Sequence, residues 1–153
     1  MAAVTANRMR LRRATHLAAI RTVVTTGSFQ QWEGTLISVA SNGFAAAAAD
    51  TAGHRFVGVL VRATESSPGV EGACPAGTVL ECEAGHEEWF PIGSGTFNGT
   101  VTQLDACALD NASLTTGTVA ANDIRLGRIV ELQTINGVAG AWIQVGVPSS
   151  GVT

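Results

Sequence analysis

Ala49-Asp50-Thr51-Ala52-Gly53-His54-Arg55-Phe56-Val57-Gly58-Val59-Leu60-Val61 joins a sharp turn directly to a patterned strand. Asp50 and Thr51 can bond their own backbone, and Gly53 accepts the backbone angles that a reversal demands. Beyond the turn, period two puts Val57, Val59 and Val61 on one face and Phe56, Gly58 and Leu60 on the other. β-Branched residues at that period predict a buried strand rather than a helix. Nothing in the stretch is chemically reactive. It is built to pack.

The same grammar runs outward in both directions. Upstream, Thr35 to Ala40 predicts a strand, Asn42-Gly43 a hairpin turn, and Phe44 to Ala48 the returning strand. Downstream, Glu65 to Gly77 predicts a loop, Thr78 to Glu83 a strand, and His86 to Ile92 a second one after a break at Ala84-Gly85. Turns follow at Gly93-Ser94-Gly95, Asn98-Gly99 and Asp110-Asn111, with strand between Thr100 and Leu109 and again at Ser113 to Thr115; Thr118 to Asn122 connects. Ile124 to Ile135 and Val138 to Val147 flank Asn136-Gly137, a pair suited to the type I′ turn that matches strand twist. On the second arm Ala141, Ile143, Val145 and Val147 share one face, and Trp142 and Gln144 the other. Turns roughly every ten residues predict an all-β sandwich or barrel.

Composition agrees. The chain of 153 residues is 46% hydrophobic and only 14% charged, with no Tyr and no Lys. One domain of that length can bury a core without metals or disulfides, and so sparse a charge implies a surface partly covered by a partner. The longest alanine tract, Ala45 to Ala49, is far too short to span a membrane.

The net charge of −3 hides a segregation. Residues 1–33 carry Arg8, Arg10, Arg12, Arg13 and Arg21 against Glu33 alone, while the remainder carries four arginines against eleven acids. The division is therefore a basic N-terminal arm (1–33), a β-rich domain (34–147) and a short tail (148–153). In the arm, Arg8 to Arg12 alternate like an edge strand, Ala14 to Ile20 tolerate a short helix, and Thr22 to Phe29 favour extended chain. His16 and Arg21 interrupt the apolar run that a secretory signal needs, and nucleic-acid binding would call for interleaved aromatics. An arm docking on an acidic protein surface needs only the charge and the apolar residues present; a solvated terminus is the plain alternative.

Reactive constellations are thin. Cys74, Cys82, His86 and Cys107 supply four zinc-ligand types at a spacing that matches no common zinc module. Cys74 and Cys82 could pair, although the odd cysteine count argues against a disulfide framework. In His86-Glu87-Glu88, strand neighbours point to opposite faces, which favours exposed acids over an acid/base or metal cluster. Ser94 lacks the outer glycines of a nucleophile elbow, since Ile92 and Thr96 stand in their places, and His54 follows the turn as a structural or surface residue. No catalytic set, metal site or cofactor site is expected, and a hydrolase using His54, His86 and Glu87 stands last among the alternatives.

A resemblance sharpens this. Ala49-Asp50-Thr51-Ala52-Gly53-x-Arg55-x-x-Gly58-Val59, then Gly77-Thr78-Val79, then Ile124-x-Leu126-Gly127-Arg128-Ile129-Val130, and last Ala141-Trp142-Ile143-Gln144-Val145 resemble the bacteriophage capsid cement (decoration) proteins. The likeness runs in order over residues 34 to 147; the basic arm and the Cys-containing loop near 65–77 depart from it. It implies a small β-barrel or β-tulip-like subunit, made in the bacterial host cytoplasm, that forms a homotrimer on the outer surface of an icosahedral head. Its partners would be the major capsid protein and itself, with neither nucleic acid nor membrane, and its role would be to clamp neighbouring capsid subunits against DNA pressure. On that reading Arg8, Arg10, Arg12, Arg13 and Arg21 meet an acidic capsid surface, and Met9, Leu11 and Ile20 anchor the arm. The alternative is a head-fibre or host-attachment module, which would present Trp89, Phe90 or Phe97 at a distal tip.

Overall fold

The computed structural model describes residues 9–26, 29–30, 32–63, 73–97, 105–116, 121–122 and 124–147, with backbone alone at 29–30, 62–63 and 73–74. In chain order the strands are β1 (Arg12–Arg13), β2 (Ala19–Val24), β3 (Phe29–Gln30), β4 (Leu36–Val39), β5 (Ala45–Ala47), β6 (Arg55–Ala63) and β7 (Ala73–Cys74). Then come β8 (Val79–Ala84), β9 (Glu87–Pro91), β10 (Asp105–Ala108), β11 (Leu114–Thr116), β12 (Arg125–Ile135) and β13 (Val138–Val145). The fold is all-β; among the described residues the only helical element is a 3-10 turn at Thr15–Leu17. Arg8, residues 64–72, Asn98-Gly99, Thr100 to Leu104, Thr118 to Ala120 and the tail from Pro148 lie outside the described residues.

Two antiparallel sheets carry the architecture. One has six strands in the order β1-β9-β13-β12-β10-β11, the other five in the order β2-β8-β6-β4-β5; β3 and β7 form a separate ribbon. A parallel bridge from Ile92 to Leu114 draws the end of β9 toward β11, so the larger sheet curls back on itself at one rim. The main core lies between the sheets, where Leu36, Val59 and Ala84 of the smaller meet Phe90, Leu126, Ile129, Ala141, Ile143 and Val145 of the larger. A second cluster, Val23, Ile37, Leu60, Leu80 and Cys82, occupies the other face of the five-stranded sheet. Each fully buried aliphatic side chain there contributes about 1.5–3 kcal/mol.

The β12–β13 hairpin behaves as its pattern predicts. Asn136 and Gly137 take φ of 50° and 77°, the two positive angles of a type I′ turn. Ala141, Ile143 and Val145 are wholly buried, facing the main core. The β4–β5 hairpin likewise turns at Asn42-Gly43, where the Asn42 side chain accepts a hydrogen bond from the Phe44 N–H.

Three expectations need correction. First, β6 does not keep one alternation. Ile37 pairs with Gly58 while Ser38 pairs with Phe56, so Val57 is an extra residue in a β-bulge. Phe56 and Val59 therefore pack on the main core, and Val57 and Leu60 on the second cluster. Secondly, Asp50 reaches across to another loop, accepting hydrogen bonds from the N–H groups of Ala121 (2.6 Å) and Asn122 (2.7 Å). Thirdly, the predicted loop before Gly77 contributes β7, which pairs with β3.

One corner organises the rest. β8 runs into β9 through Gly85-His86, passing from the smaller sheet to the larger. Gly85 N–H donates to Val145 O, and Val145 N–H donates to His86 O, so the corner is tied to the end of β13. The basic segment follows the same corner in the opposite direction, with β1 on β9 and β2 on β8. At the crossing, a Cβ on Gly85 would lie 2.3 Å from the Leu17 carbonyl oxygen, and φ there is +96°; only glycine fits.

Candidate functional site

Three arginines of the basic segment meet glutamates at this corner. Alternation along β9 sends Glu88 inward with His86, two residues earlier, and leaves Glu87 on the other side. The Arg10 guanidinium enters from the basic segment. Its Nε lies 3.0 Å from Glu88 Oε1, and its Nη2 donates to the same oxygen and to Glu83 Oε2 at 2.8 Å. His86 Nε2 lies 2.9 Å from Glu88 Oε1 and 3.3 Å from Arg10 Nη2. The Glu88 and His86 side chains have no solvent exposure and Arg10 only 8%. His86 Nε2 faces the Glu88 carboxyl group, and His86 Nδ1 is buried with no partner.

Around this buried core the pairing continues at the surface. Arg12 donates to Glu83 at 2.9 Å with 40% of its side chain exposed. Arg13 donates to Glu87 at 2.7 Å and to Glu131 of β12 at 2.8 Å, and its guanidinium lies 4.2 Å from the Trp142 ring centre, within cation–π range. Trp142 Nε1 in turn donates to the Gln133 side chain, and Trp89 Nε1 to the Gln133 carbonyl. Three arginines thus face four glutamates drawn from β8, β9 and β12.

The titration behaviour follows from the geometry. Burial would raise the Glu83 carboxyl, but hydrogen bonds from Arg10 and Arg12 and the nearby charges of Arg10 and His86 outweigh it and hold it below its ordinary value. Burial works against the Arg10 charge too, yet Glu88 and Glu83 more than offset that and raise it further. Glu83 therefore stabilises the fold above the usual carboxylate range, and that contribution is lost as pH falls through its lowered value.

The residues expected to form a docking arm divide sharply. Arg10, Arg12 and Arg13 are engaged by glutamates of their own chain. Leu11 accepts a hydrogen bond through its carbonyl from Trp89 N–H, and exposed Arg21 reaches the Val57 carbonyl at 3.3 Å. Met9 is 84% exposed and Ile20 57%, joined by the exposed Leu17 and Val24 of the same segment. Arg8 lies outside the described residues.

Other candidates resolve differently from expectation. Glu88 is not an exposed acid: it is wholly buried, and it is Glu88 rather than Glu87 that His86 of the corner meets. Cys82 and Cys107 are buried and form no disulfide; burial pushes the Cys82 thiol up to about 12 and leaves it protonated and unreactive. With Cys82 free, the Cys74–Cys82 bridge is not formed. Among the described residues no three His, Cys, Asp or Glu side chains are grouped to hold a metal, and no helix is long and apolar enough to cross a membrane. Trp89 and Phe90 are built into the fold, at 9% and 0% exposure, and Phe97 packs on the main core.

Sequence reasoning alone does not find Glu83, Glu88, Glu131 or Trp142 as members of this site. The available signal was the charge segregation, since Glu81, Glu83, Glu87 and Glu88 have no basic neighbour in their own stretch. Compared with protein-family models, curated proteins and solved structures, the chain gives no match.

Proposed function

We propose that the chain is a virion structural protein, a capsid cement (decoration) protein that binds as a homotrimer to the outer surface of an icosahedral phage head. The observation that carries this reading is the ordered resemblance of Ala49 to Val59, Ile124 to Val130 and Ala141 to Val145 to that family. The all-β fold with few charges supports it, as does the gathering of Met9, Leu17, Ile20 and Val24 at the surface of one segment. Its role is mechanical rather than catalytic. By contacting several major capsid proteins at once, a cement subunit makes separation of any two of them break its own contacts as well.

Within this reading the ionic pairs alter the docking mode. Arg10, Arg12 and Arg13 hold the basic segment to its own domain, so the groups offered to the shell are the apolar Met9, Leu17, Ile20 and Val24, with Arg21 beside them. Co-sedimentation with expanded, cement-free capsids tests both parts. Saturable binding by the full chain is expected, weakened about tenfold or more when Ile20 and Val24 are both replaced by Ser, and little changed by Arg12→Gln. Absence of binding to every expanded shell tested would refute the cement role.

A further inference from the structure

We propose that residues 9–24 form a proton-sensitive strap, latched over the β8–β9 corner by Arg10 and able to leave it while the two-sheet body stays folded. The inference is independent of the capsid reading. It begins with how little apolar surface the segment buries. Of its side chains only Val23 joins an apolar cluster, while Met9, Leu17, Ile20 and Val24 face solvent. β1 and β2 are the outermost strands of their sheets, so among the described residues no other strand is hydrogen-bonded across them. Thr25 N–H donates to Thr78 O, and alternation from there turns the N–H and C=O groups of Ile20, Thr22 and Val24 outward.

Beside the β2–β8 backbone ladder, charge holds the strap, and with the strap in place Arg10, His86 and Glu88 are buried together. Three glutamates at the corner are satisfied by strap arginines: Glu88 by Arg10, Glu83 by Arg10 and Arg12, and Glu87 by Arg13. The groups facing Arg10 are Glu83 of β8, His86 of the corner and Glu88 of β9; those facing Arg13 are Glu87 of β9, Glu131 of β12 and the Trp142 ring of β13. Docked, the strap covers anions that would otherwise stand partly buried without a counter-charge. Undocked, Glu83 loses the arginines that hold it low and is more easily protonated, so detachment and proton uptake are linked. Glu83, held low by the strap's own arginines, sets the direction: the latch holds at neutral pH and weakens in acid. Neutralising a glutamate should therefore release the strap at a pH where the wild type keeps it.

The absence of lysine makes the event easy to read, because trypsin can cut only after arginine. Arg10, Arg12, Arg13 and Arg21 report on the strap, and Arg125 and Arg128 of β12 report on the body. Limited trypsinolysis of the full chain at pH 8 is compared between wild type and Glu88→Gln, with cutting followed by intact mass. The expected result is cutting after Arg12, Arg13 and Arg21 about tenfold faster or more in Glu88→Gln, with the β12 sites as protected as in wild type; cleavage of an opened segment tracks its open population. Equal acceleration at strap and β12 sites would overturn the proposal, because the strap would then be inseparable from the core. Unchanged strap cutting would overturn it as well. On the wild type itself, hydrogen exchange corrected for intrinsic rates should show the inward-facing amides of Ala19, Arg21 and Val23 losing protection as pH falls from about 5 to about 2, before β12 and β13 do. Loss in step with the hairpin would refute it independently of any variant.

Discussion

The β12–β13 hairpin and the N-terminal strap are both antiparallel additions to the sheets, yet they are held by different forces. The hairpin's strands are adjacent in sequence and register over eight residue pairs. Ile129, Ala141, Ile143 and Val145 send wholly buried side chains into the inter-sheet core. The strap pairs with a segment far away in sequence, Arg12 with Glu88 at one end, 76 residues on, and Val24 with Val79 at the other, 55 residues on. Beyond its backbone pairing, its attachment rests on guanidinium–carboxylate pairs rather than on buried apolar side chains. Buried area does not depend on pH or salt in any steep way, whereas an ion pair depends on both. One polypeptide therefore carries an unconditional element and a conditional one in the same fold.

The largest expected effect falls on the hairpin. Ile143→Ala removes a fully buried side chain from the shared core and should cost about 2–5 kcal/mol. Because Ile143 touches both sheets' packing, the loss should appear as a lower urea midpoint for the whole molecule, identical by tryptophan fluorescence and by far-UV circular dichroism. If fluorescence and circular dichroism instead separated, the hairpin would be a local unit and the comparison with the strap would collapse.

This contrast also explains what was legible in the sequence. Strands and hairpins were, because alternation and Asn-Gly turns are local signals; Asn136-Gly137 and Asn42-Gly43 each mark a real turn. The faces of β6 were not, because the bulge at Val57 depends on how Ile37 and Ser38 of another strand choose their partners. The ionic corner was hidden for the same reason. Arg10 and Glu88 are 78 residues apart, and nothing near His86-Glu87-Glu88 indicates that an arginine closes over it. Asp50 is a smaller instance: its side chain suits its own turn, but the N–H groups of Ala121 and Asn122 come within its reach only in the folded chain.

A middle-sized effect tests whether the hairpin's locality resides in its turn. Gly137 has φ of +77°, and a Cβ added there meets nothing within 4 Å. Gly137→Ala therefore introduces backbone strain without a clash, about 1 kcal/mol. The urea midpoint should fall accordingly, with strap cutting by trypsin unchanged. A loss near that of Ile143→Ala would mean that the turn, rather than the core, holds the hairpin.

The smallest effect is the most discriminating about the strap. Arg12 and Arg10 both bond Glu83 Oε2, at 2.9 and 2.8 Å, so by distance alone they look equivalent. Their solvent exposure differs fivefold, 40% against 8%, and Coulomb attraction in an exposed pair is largely screened. Arg12→Gln should therefore cost no more than about 0.5 kcal/mol at low salt and nothing measurable in half-molar sodium chloride. Arg10 also neutralises fully buried Glu88, so Arg10→Gln should remain destabilising in the same high salt. Urea midpoints of both variants at low and high salt give the comparison directly. Parallel salt responses would mean that the latch is spread evenly over the exposed pairs; a response confined to Arg12 would locate it in the single guanidinium that the strap buries.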